Sequence, residues 1–316
     1  MKKIIFLLLA LVIALPASAQ TVPPDSSRTR TAREWEGRLI SWGGSAAVNA
    51  MLTEVLKSSI HQTRPNGRDR HSWPSRHTSW AFWGAGVLAH ELYRNSPWWV
   101  ILSHAGADAM AIQRVASGNH FPKDVVGGAA IGLMSVEAGY MIGHAVFPGA
   151  YPALPYASAD WLPGVDVTTT VFFPWTDIAH GFSARTGMMT AVRASLPLGE
   201  TFGFAAQADY RALPVYGALG YVDMAHGLGL SAGVALSRNA SGRWAPTARL
   251  MAGAARNFHS RAIRPERWGF TAEVALGAAC FLTPKLSVGG EVGYMCWRIR
   301  STVSAVTLSL VTRACL

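Results

Sequence analysis

Cysteine is scarce in this chain: Cys280, Cys296 and Cys315 are the three in 316 residues, all in the C-terminal half. An odd count leaves at least one thiol unpaired and excludes a disulfide framework. No CxxC, HExxH or Walker-type lysine loop occurs, so no metal and no nucleotide cofactor is expected. Charge is thin as well, with 15% charged residues against 50% hydrophobic and a mean hydropathy of +0.20. That deficit is unusual for a secreted soluble protein and suggests a membrane connection. Acidic residues are in the minority, 18 against 28 basic, giving a net charge of +10. The cations form no long basic stripe, so nucleic acid is not an expected partner; anionic lipid or lipopolysaccharide suits the charge better.

The chain opens as a secretory signal peptide over residues 1–19, with Lys2 and Lys3 before the apolar run Ile4 to Leu15 and a small-residue cleavage site at Ala17-Ser18-Ala19. Residues 20–32 read as an unstructured leader. From Arg33 to about Phe147 the periodicity is helical, with helices expected near 33–60, 77–94, 97–117 and 122–147, separated by Pro65, Pro74, Pro97 and Pro122. His104, Asp108, Gln113, Arg114, Glu137 and His144 are costly residues in lipid, which favours a compact soluble bundle over spanning helices. His104 and Asp108, four apart, are a candidate hydrogen-bonded pair, and Trp73, Trp80, Trp98 and Trp99 are candidate linings of an apolar approach.

Within this half, three segments combine cations, histidines and a carboxylate: Lys57 with Arg64-Pro65, then Pro74-Ser75-Arg76-His77, then Arg114 followed by His120-Phe-Pro-Lys-Asp124. Phosphate-ester hydrolysis needs neutralised phosphoryl oxygens, a nucleophile and a proton for the leaving oxygen. Lys57, Arg64 and Arg114 supply cations that cannot act as bases. Asp124 lies one helical turn after His120, with Pro122 as a good first helical residue, so the carboxylate can orient the imidazole as a nucleophile. His77 is left as the general acid, with Ser75 and the Arg76 backbone amide as phosphate donors.

Together these segments resemble the tripartite signature of the type 2 phosphatidic acid phosphatase (PAP2) superfamily, which includes bacterial acid phosphatases and vanadium haloperoxidases. The resemblance implies a phosphohistidine at His120, His77 as acid and no metal. It covers Arg33 to about Phe147. The sequence departs from the family with Arg76 where glycine is usual and Gln113 where serine is frequent. Arg76 either points away or adds a fourth cation for a crowded anionic headgroup. The basic loop Asn66 to Trp73 reads as solvated, with recruitment of a headgroup as the alternative.

After the connector at 148–164, marked by Pro148, Pro152, Pro155 and Pro163, the period changes from helical to alternating. Eight segments, near 165–173, 186–197, 201–211, 227–238, 244–256, 268–281, 285–297 and 303–316, resemble strands of a small outer-membrane barrel. Arg193, Gln207, Asp209, Arg211, Arg249, Glu273, Glu291 and Arg313 fall on the parity opposite the apolar face, as in a narrow barrel with a charged interior. Long connections at 174–185, 212–226 and 257–267 alternate with short ones, which puts both barrel ends, and the helical domain, on the periplasmic side; the last outer loop, 298–302, is short and departs from this rule. In the hairpin around Thr283-Pro284, Cys280 opposes about residue 287, so Cys280 and Cys296 are too far out of register to bridge.

The expected fold class is therefore α+β in two domains, an all-α bundle over 33–147 and an antiparallel barrel of about eight strands over 165–316. The expected activity is phosphate removal from monoesters or diphosphates, on lipids such as lipid A, a polyprenyl diphosphate or phosphatidic acid. Expected partners are that lipid, the outer membrane and its assembly machinery. A soluble-substrate acid phosphatase, a haloperoxidase and a non-catalytic outer-membrane binding protein remain open on the residues alone.

Overall fold

A computed structural model of the chain describes residues 27–92, 96–147, 163–238, 244–258, 263, 265–283 and 286–315. The signal peptide, the first part of the expected leader and all but the end of the connector lie outside the described residues. Four helices are described: α1 (Ser27–Ser59), α2 (Arg76–Leu92), α3 (Pro97–Ala116) and α4 (Pro122–Val146). The first begins at Ser27, so residues 27–32 are helical where an unstructured leader was expected. The prolines start helices, as anticipated: Pro97 follows the N-cap Ser96, whose side chain accepts from the Trp98 amide, and Pro122 opens α4.

Small residues set how closely these helices approach. On α4, Gly128 and Gly132 face α2 so tightly that a Cβ at either would run into the backbone carbonyls of Ser75 and Ser79. Gly139 and Gly143 do the same against Ser41 and Ser45 of α1. The seam between helices is polar, with Ser41, Ser45, Asn49 and Thr53 of α1 all fully buried. Ser79 donates to Asn49, Thr53 and Ser79 share a hydrogen bond of 3.1 Å, and Trp83 donates to the Ser45 hydroxyl at 2.9 Å.

The C-terminal part is a closed antiparallel barrel of eight strands: β1 (Gly164–Pro174), β3 (Gly187–Pro197), β4 (Phe202–Gly217), β5 (Gly220–Ser237), β6 (Trp244–Asn257), β7 (Trp268–Thr283), β8 (Leu286–Arg298) and β9 (Thr302–Cys315). A two-residue β2 (Ser183–Ala184) pairs onto β4. β1 pairs with both β3 and β9, and β4 pairs with β5, which closes the ring. Closure leaves no open edge for another chain. The expected strands agree to within a residue or two at most ends. The exception is 212–226, expected as a loop: β4 and β5 instead continue as one paired hairpin turning at Gly217–Gly220, with Gly220 at φ +119°. Cys280 opposes Val288 and Cys296 opposes Ala272, so these two cannot bridge.

The interior follows the parity reading. Arg193 bonds Asp166 at 2.8 Å and Glu291 at 3.3 Å, while Arg249 bonds Glu291 at 2.9 Å and Glu273 at 2.8 Å. Arg211 grips Asp209 through two nitrogens, at 2.6 and 2.9 Å. Asp166 was absent from the expected inward set. The charged layer also does not fill the barrel: towards the β4–β5 hairpin the interior is apolar, with Phe172, Leu213, Met295, Trp297 and Val303 forming a plug.

The bundle does not hang below the barrel. It stands along the outward face of β1, β3, β4, β5, β8 and β9. At the end of the short turns, Ala89 and Val100 pack on Leu286, and Ile101 packs on Val167 and Ala314. Midway, the Thr169 hydroxyl donates to Asp108 at 2.8 Å. At the other end Val115, Val125 and Ala129 share a core with Met188, Ala212 and Met224. The expected His104–Asp108 pair is therefore replaced by two separate contacts, since His104 bonds the Val100 carbonyl at 2.9 Å.

Candidate active site

The site sits where the C-termini of α1 and α3 meet the N-termini of α2 and α4. Helix α1 delivers Lys57 and α3 delivers Arg114 in their last turns. The chain then reverses through Gly118, at φ +65°, and the Arg114 carbonyl accepts from the amides of both Asn119 and His120 at 3.1 Å. That pair of hydrogen bonds fixes His120 at the mouth of α4. The loop between α1 and α2 is pinned by the Ser72 amide on the Gln62 carbonyl at 2.9 Å and by Lys57, which donates to the Pro74 carbonyl at 3.0 Å.

An open pocket of about 440 Å³ is lined by Lys57, Arg64, Arg76, His77 and His120 together with Glu54, Ser58, Asp69 and His71. Five of the eight residues expected at the site thus converge on one space. Arg64 reaches within 3.4 Å of His120 Nε2 and also bonds the Asn119 carbonyl at 3.3 Å. Its Nε holds Asp69 at 2.8 Å, so the loop expected to be merely solvated is tied into the site. That pairing, led by the hydrogen bond from Arg64, keeps the Asp69 carboxyl below its usual range.

The other three, Ser75, Arg114 and Asp124, are not among the residues lining this pocket. Ser75 is fully buried behind it, its hydroxyl accepting from Thr78 at 3.0 Å and its amide donating to the Asp124 carbonyl at 2.9 Å. Arg114 has a buried Nε with no hydrogen-bond partner, and its charge acts on His77. Arg76 turns towards Glu54, at 2.6 Å, on the pocket rim.

Asp124 is fully buried one turn beyond His120, as the spacing required, but its Oδ2 stands 3.7 Å from His120 Nδ1, beyond hydrogen-bond range. The same oxygen accepts from the Ser72 hydroxyl and from the Phe121 amide at 2.9 Å, and Oδ1 accepts from Gln62 at 3.2 Å. Ser72 and Gln62 were not expected at the site. They hold the carboxylate in place, leaving Nδ1 of the buried imidazole without another partner. Burial lowers the pKa of His120 below its ordinary value, an effect that Asp124 opposes and Arg64 reinforces. His77 is lowered too, by partial burial first and then by the charges of Arg114, His120, Arg64 and Arg76.

The barrel meets the flank of the site through aromatic contacts. Tyr221, near the β4–β5 hairpin tip, meets Phe121 edge-on at 5.2 Å between ring centroids; Tyr216 lies beside Tyr221, and Arg185 stacks over Tyr216 at 4.3 Å. No spacing in the sequence connects these residues to the site. Trp98 and Trp99, expected along the approach, lie instead at the opposite end of the bundle.

Two histidines lining one pocket within a cluster of cations form an arrangement able to bind a tetrahedral phosphoryl group. A comparison with protein families matches the description "PAP2 superfamily" to residues 38–147. Residues 38–147 are a PAP2 superfamily domain. The chain is 30% identical over 136 residues to a lipid A 1-phosphatase of Porphyromonas gingivalis, a match spanning 41% of this chain and 31% of that relative. The chain therefore spans about a third of the length of the curated relative it matches. Among solved structures it is similar to Neisserial surface protein A (12% identity, 49% of this chain and 97% of that one, TM-score 0.38). It is also similar to Ail of Yersinia pestis (10%, 48% and 97%, TM-score 0.33) and OprG of Pseudomonas aeruginosa (12%, 50% and 95%, TM-score 0.32). The PAP2 domain accounts for the helices, and the barrel lies outside the matched residues.

Proposed function

We propose that the PAP2 domain hydrolyses phosphate monoesters or diphosphates of membrane lipids through a phosphohistidine, and that the barrel anchors it in the outer membrane. The observation that carries this reading is the convergence of Lys57, Arg64, Arg76, His77 and His120 on one open pocket. His120 Nε2 faces Arg64 while Nδ1 faces Asp124, so the tautomer protonated at Nδ1 presents its lone pair to phosphorus. Attack forms the N–P bond and breaks the P–O bond to the lipid, and His77 gives its proton to the departing oxygen. Water then attacks the phosphohistidine, losing a proton to His77, and releases phosphate with His120 restored.

The lipid class is supported by the resemblance to a lipid A 1-phosphatase and by the barrel, whose outward face carries Leu230, Leu250, Phe270 and Leu276, all more than half exposed. Such a face with a charged interior suits an outer-membrane barrel. Its short turns and both barrel ends belong to the periplasmic side by the usual rule. The expectation of a periplasm-facing site followed from that rule on the assumption that the bundle hangs below the barrel, which is not how the bundle packs.

The test is phosphate release by the full chain in vesicles from lipid A, a polyprenyl diphosphate, phosphatidic acid and a soluble aryl phosphate, with His120→Ala as control and with and without a chelator. Chelator-resistant activity on a lipid, lost in the variant, is the expected result. Activity on the aryl ester alone would replace the lipid reading with a soluble-substrate phosphatase, and silence on all four would reduce the pocket to an anion site.

A further inference from the structure

We infer that the helical bundle is itself embedded in the outer-membrane lipid beside the barrel, its exposed faces covered by acyl chains, and that its phosphate pocket opens on the outward side. The inference rests on the outer-membrane reading of the barrel and goes beyond it.

The bundle follows the barrel wall over its height, from Leu286 at the short-turn end to Tyr221 at the hairpin end. That wall is the surface a barrel of this kind turns towards lipid. A bundle on it shares the same layer, and its own outer faces meet the same solvent.

The polarity of the bundle agrees. In α1 the buried positions are Gly37, Ser41, Ser45, Asn49 and Thr53, whereas Leu39 and Met51 are each 60% exposed. A helix in water reverses this pattern; small polar residues at helix contacts with apolar residues outside is the membrane arrangement. Residues 39–53, 78–89, 98–112 and 125–136 of the four helices contain one charged side chain, Asp108, and it is buried against Thr169 of the barrel. These stretches of about 12 to 15 residues rise roughly 18–22 Å at 1.5 Å per residue. That is comparable to the ~25 Å apolar band of outer-membrane barrels. Trp98 and Trp99, about half exposed, mark the short-turn edge of the band.

All but His144 of the polar residues that argued for a soluble bundle are accounted for in place. His104 bonds backbone, Glu137 pairs with His90 at 2.9 Å near the short-turn edge, and Gln113 and Arg114 stand at the pocket end, beyond the band. Glu91 at the short-turn edge accepts from Tyr140 at 2.6 Å and Trp42 at 3.1 Å.

Orientation follows from the barrel. The pocket lies at the end carrying the β4–β5 hairpin, the β8–β9 turn and the two long connections 175–186 and 258–267, opposite both barrel ends and the connections 198–201, 238–243 and 284–285. With the two long connections outward and the barrel ends periplasmic, the pocket faces outward. Its substrate is then a phosphorylated lipid whose headgroup lies at the outward surface.

The experiment uses the full chain in intact cells, with Cys280, Cys296 and Cys315 changed to alanine and single cysteines placed by Leu276→Cys on the barrel wall, Gly106→Cys on α3, Arg68→Cys beside the pocket and Gly199→Cys in a short turn. Gly106 and Gly199 have open space for a side chain, and Leu276 is 65% exposed. With a water-soluble maleimide, position 68 is expected to react in intact cells, position 199 only after the outer membrane is permeabilised, and positions 276 and 106 in neither case. Labelling at 106 with protection at 276 overturns the embedded bundle while leaving the barrel reading intact. Labelling at both 276 and 106 sinks the barrel reading itself, and labelling at 68 only on permeabilisation overturns the outward pocket. A readout independent of cysteine is quenching of tryptophan fluorescence by lipids brominated on the acyl chains. The quenched fraction is expected to fall when Trp98 and Trp99 are changed to Phe, and an unchanged fraction counts against the embedding.

Discussion

Replacing Asp124 by Asn tests whether the carboxylate acts on His120 by charge. Both side chains are almost wholly buried, and the oxygen lies 3.7 Å from Nδ1. At an effective dielectric near 20, a unit charge at this distance interacts with an imidazolium, or with a phosphohistidine carrying Nδ1–H, by about 4 kcal/mol. An Asn oxygen in the Oδ2 position still accepts from Ser72 and the Phe121 amide, and Gln62 can turn its carbonyl to the new NH2 group. The fold around the site is thereby kept while the charge is lost. At ~1.4 kcal/mol per decade, kcat is expected to fall by roughly two to three orders of magnitude. The assay is phosphate release from the preferred lipid, alongside acid-quenched trapping of labelled phosphohistidine. A pH profile separates this effect from misfolding. Asp124 opposes the lowering of the His120 pKa, so its removal moves that pKa further down and shifts the acidic limb of kcat/KM to lower pH. A kcat within threefold of wild type, with an unmoved acidic limb, refutes the charge role.

Other expectations follow from the same geometry. His77→Asn should lose two or more orders of magnitude on an alkyl phosphate but far less on an aryl phosphate whose leaving oxygen needs no proton; equal losses on both would remove His77 from the acid role. Arg76→Gln takes away one of the charges that lower the His77 pKa, so the alkaline limb of kcat/KM should move to higher pH, and an unchanged limb would show that the Glu54 pair already neutralises Arg76. Glu291→Ala deprives Arg193 and Arg249 of a shared buried partner, which should cost about 3 kcal/mol and lower the urea midpoint of the folded barrel; an unshifted midpoint would mean that Asp166 and Glu273 suffice.

How far the sequence could be read depended on the distance over which each feature is determined. Alternation along a strand is local, so Arg193, Arg249 and Glu291 could be assigned inward from spacing alone. The same parity rule treats every inward position as polar, and so missed the apolar plug around Trp297 and Met295. Pro214, Gly217 and Gly220 are turn signals that break the alternation over 212–226, yet Pro214 sits opposite Met224 in a ladder that carries one bulge, at Val215/Tyr216. At the site, the spacing from His120 to Asp124 put the two on one helical turn. It could not show that Ser72, 52 residues before Asp124, takes the near oxygen. Asp108 was given a local partner in His104, whereas its partner, Thr169, is 61 residues away in the barrel.

The sequence reading of the bundle as soluble rested on counting polar residues against the cost of lipid, and composition says nothing of direction. Ser41, Ser45, Asn49 and Thr53 recur every four residues, so they share one stripe of α1, and a stripe can face either inward or outward. A soluble helix would need the opposite face to be polar, but that face carries Leu39, Ala47 and Met51, with no charge between Arg38 and Glu54. The glycines of α4 decide the matter from the other side: Gly139 and Gly143 admit the backbone of α1 only where a serine stripe meets them, which fixes the apolar face outward. Reversing one stripe is then a direct probe. Ala47→Glu, on the exposed face, should be neutral in a bundle surrounded by water and should block assembly of a bundle surrounded by acyl chains, and normal amounts of folded barrel with active phosphatase in that variant would return the domain to water.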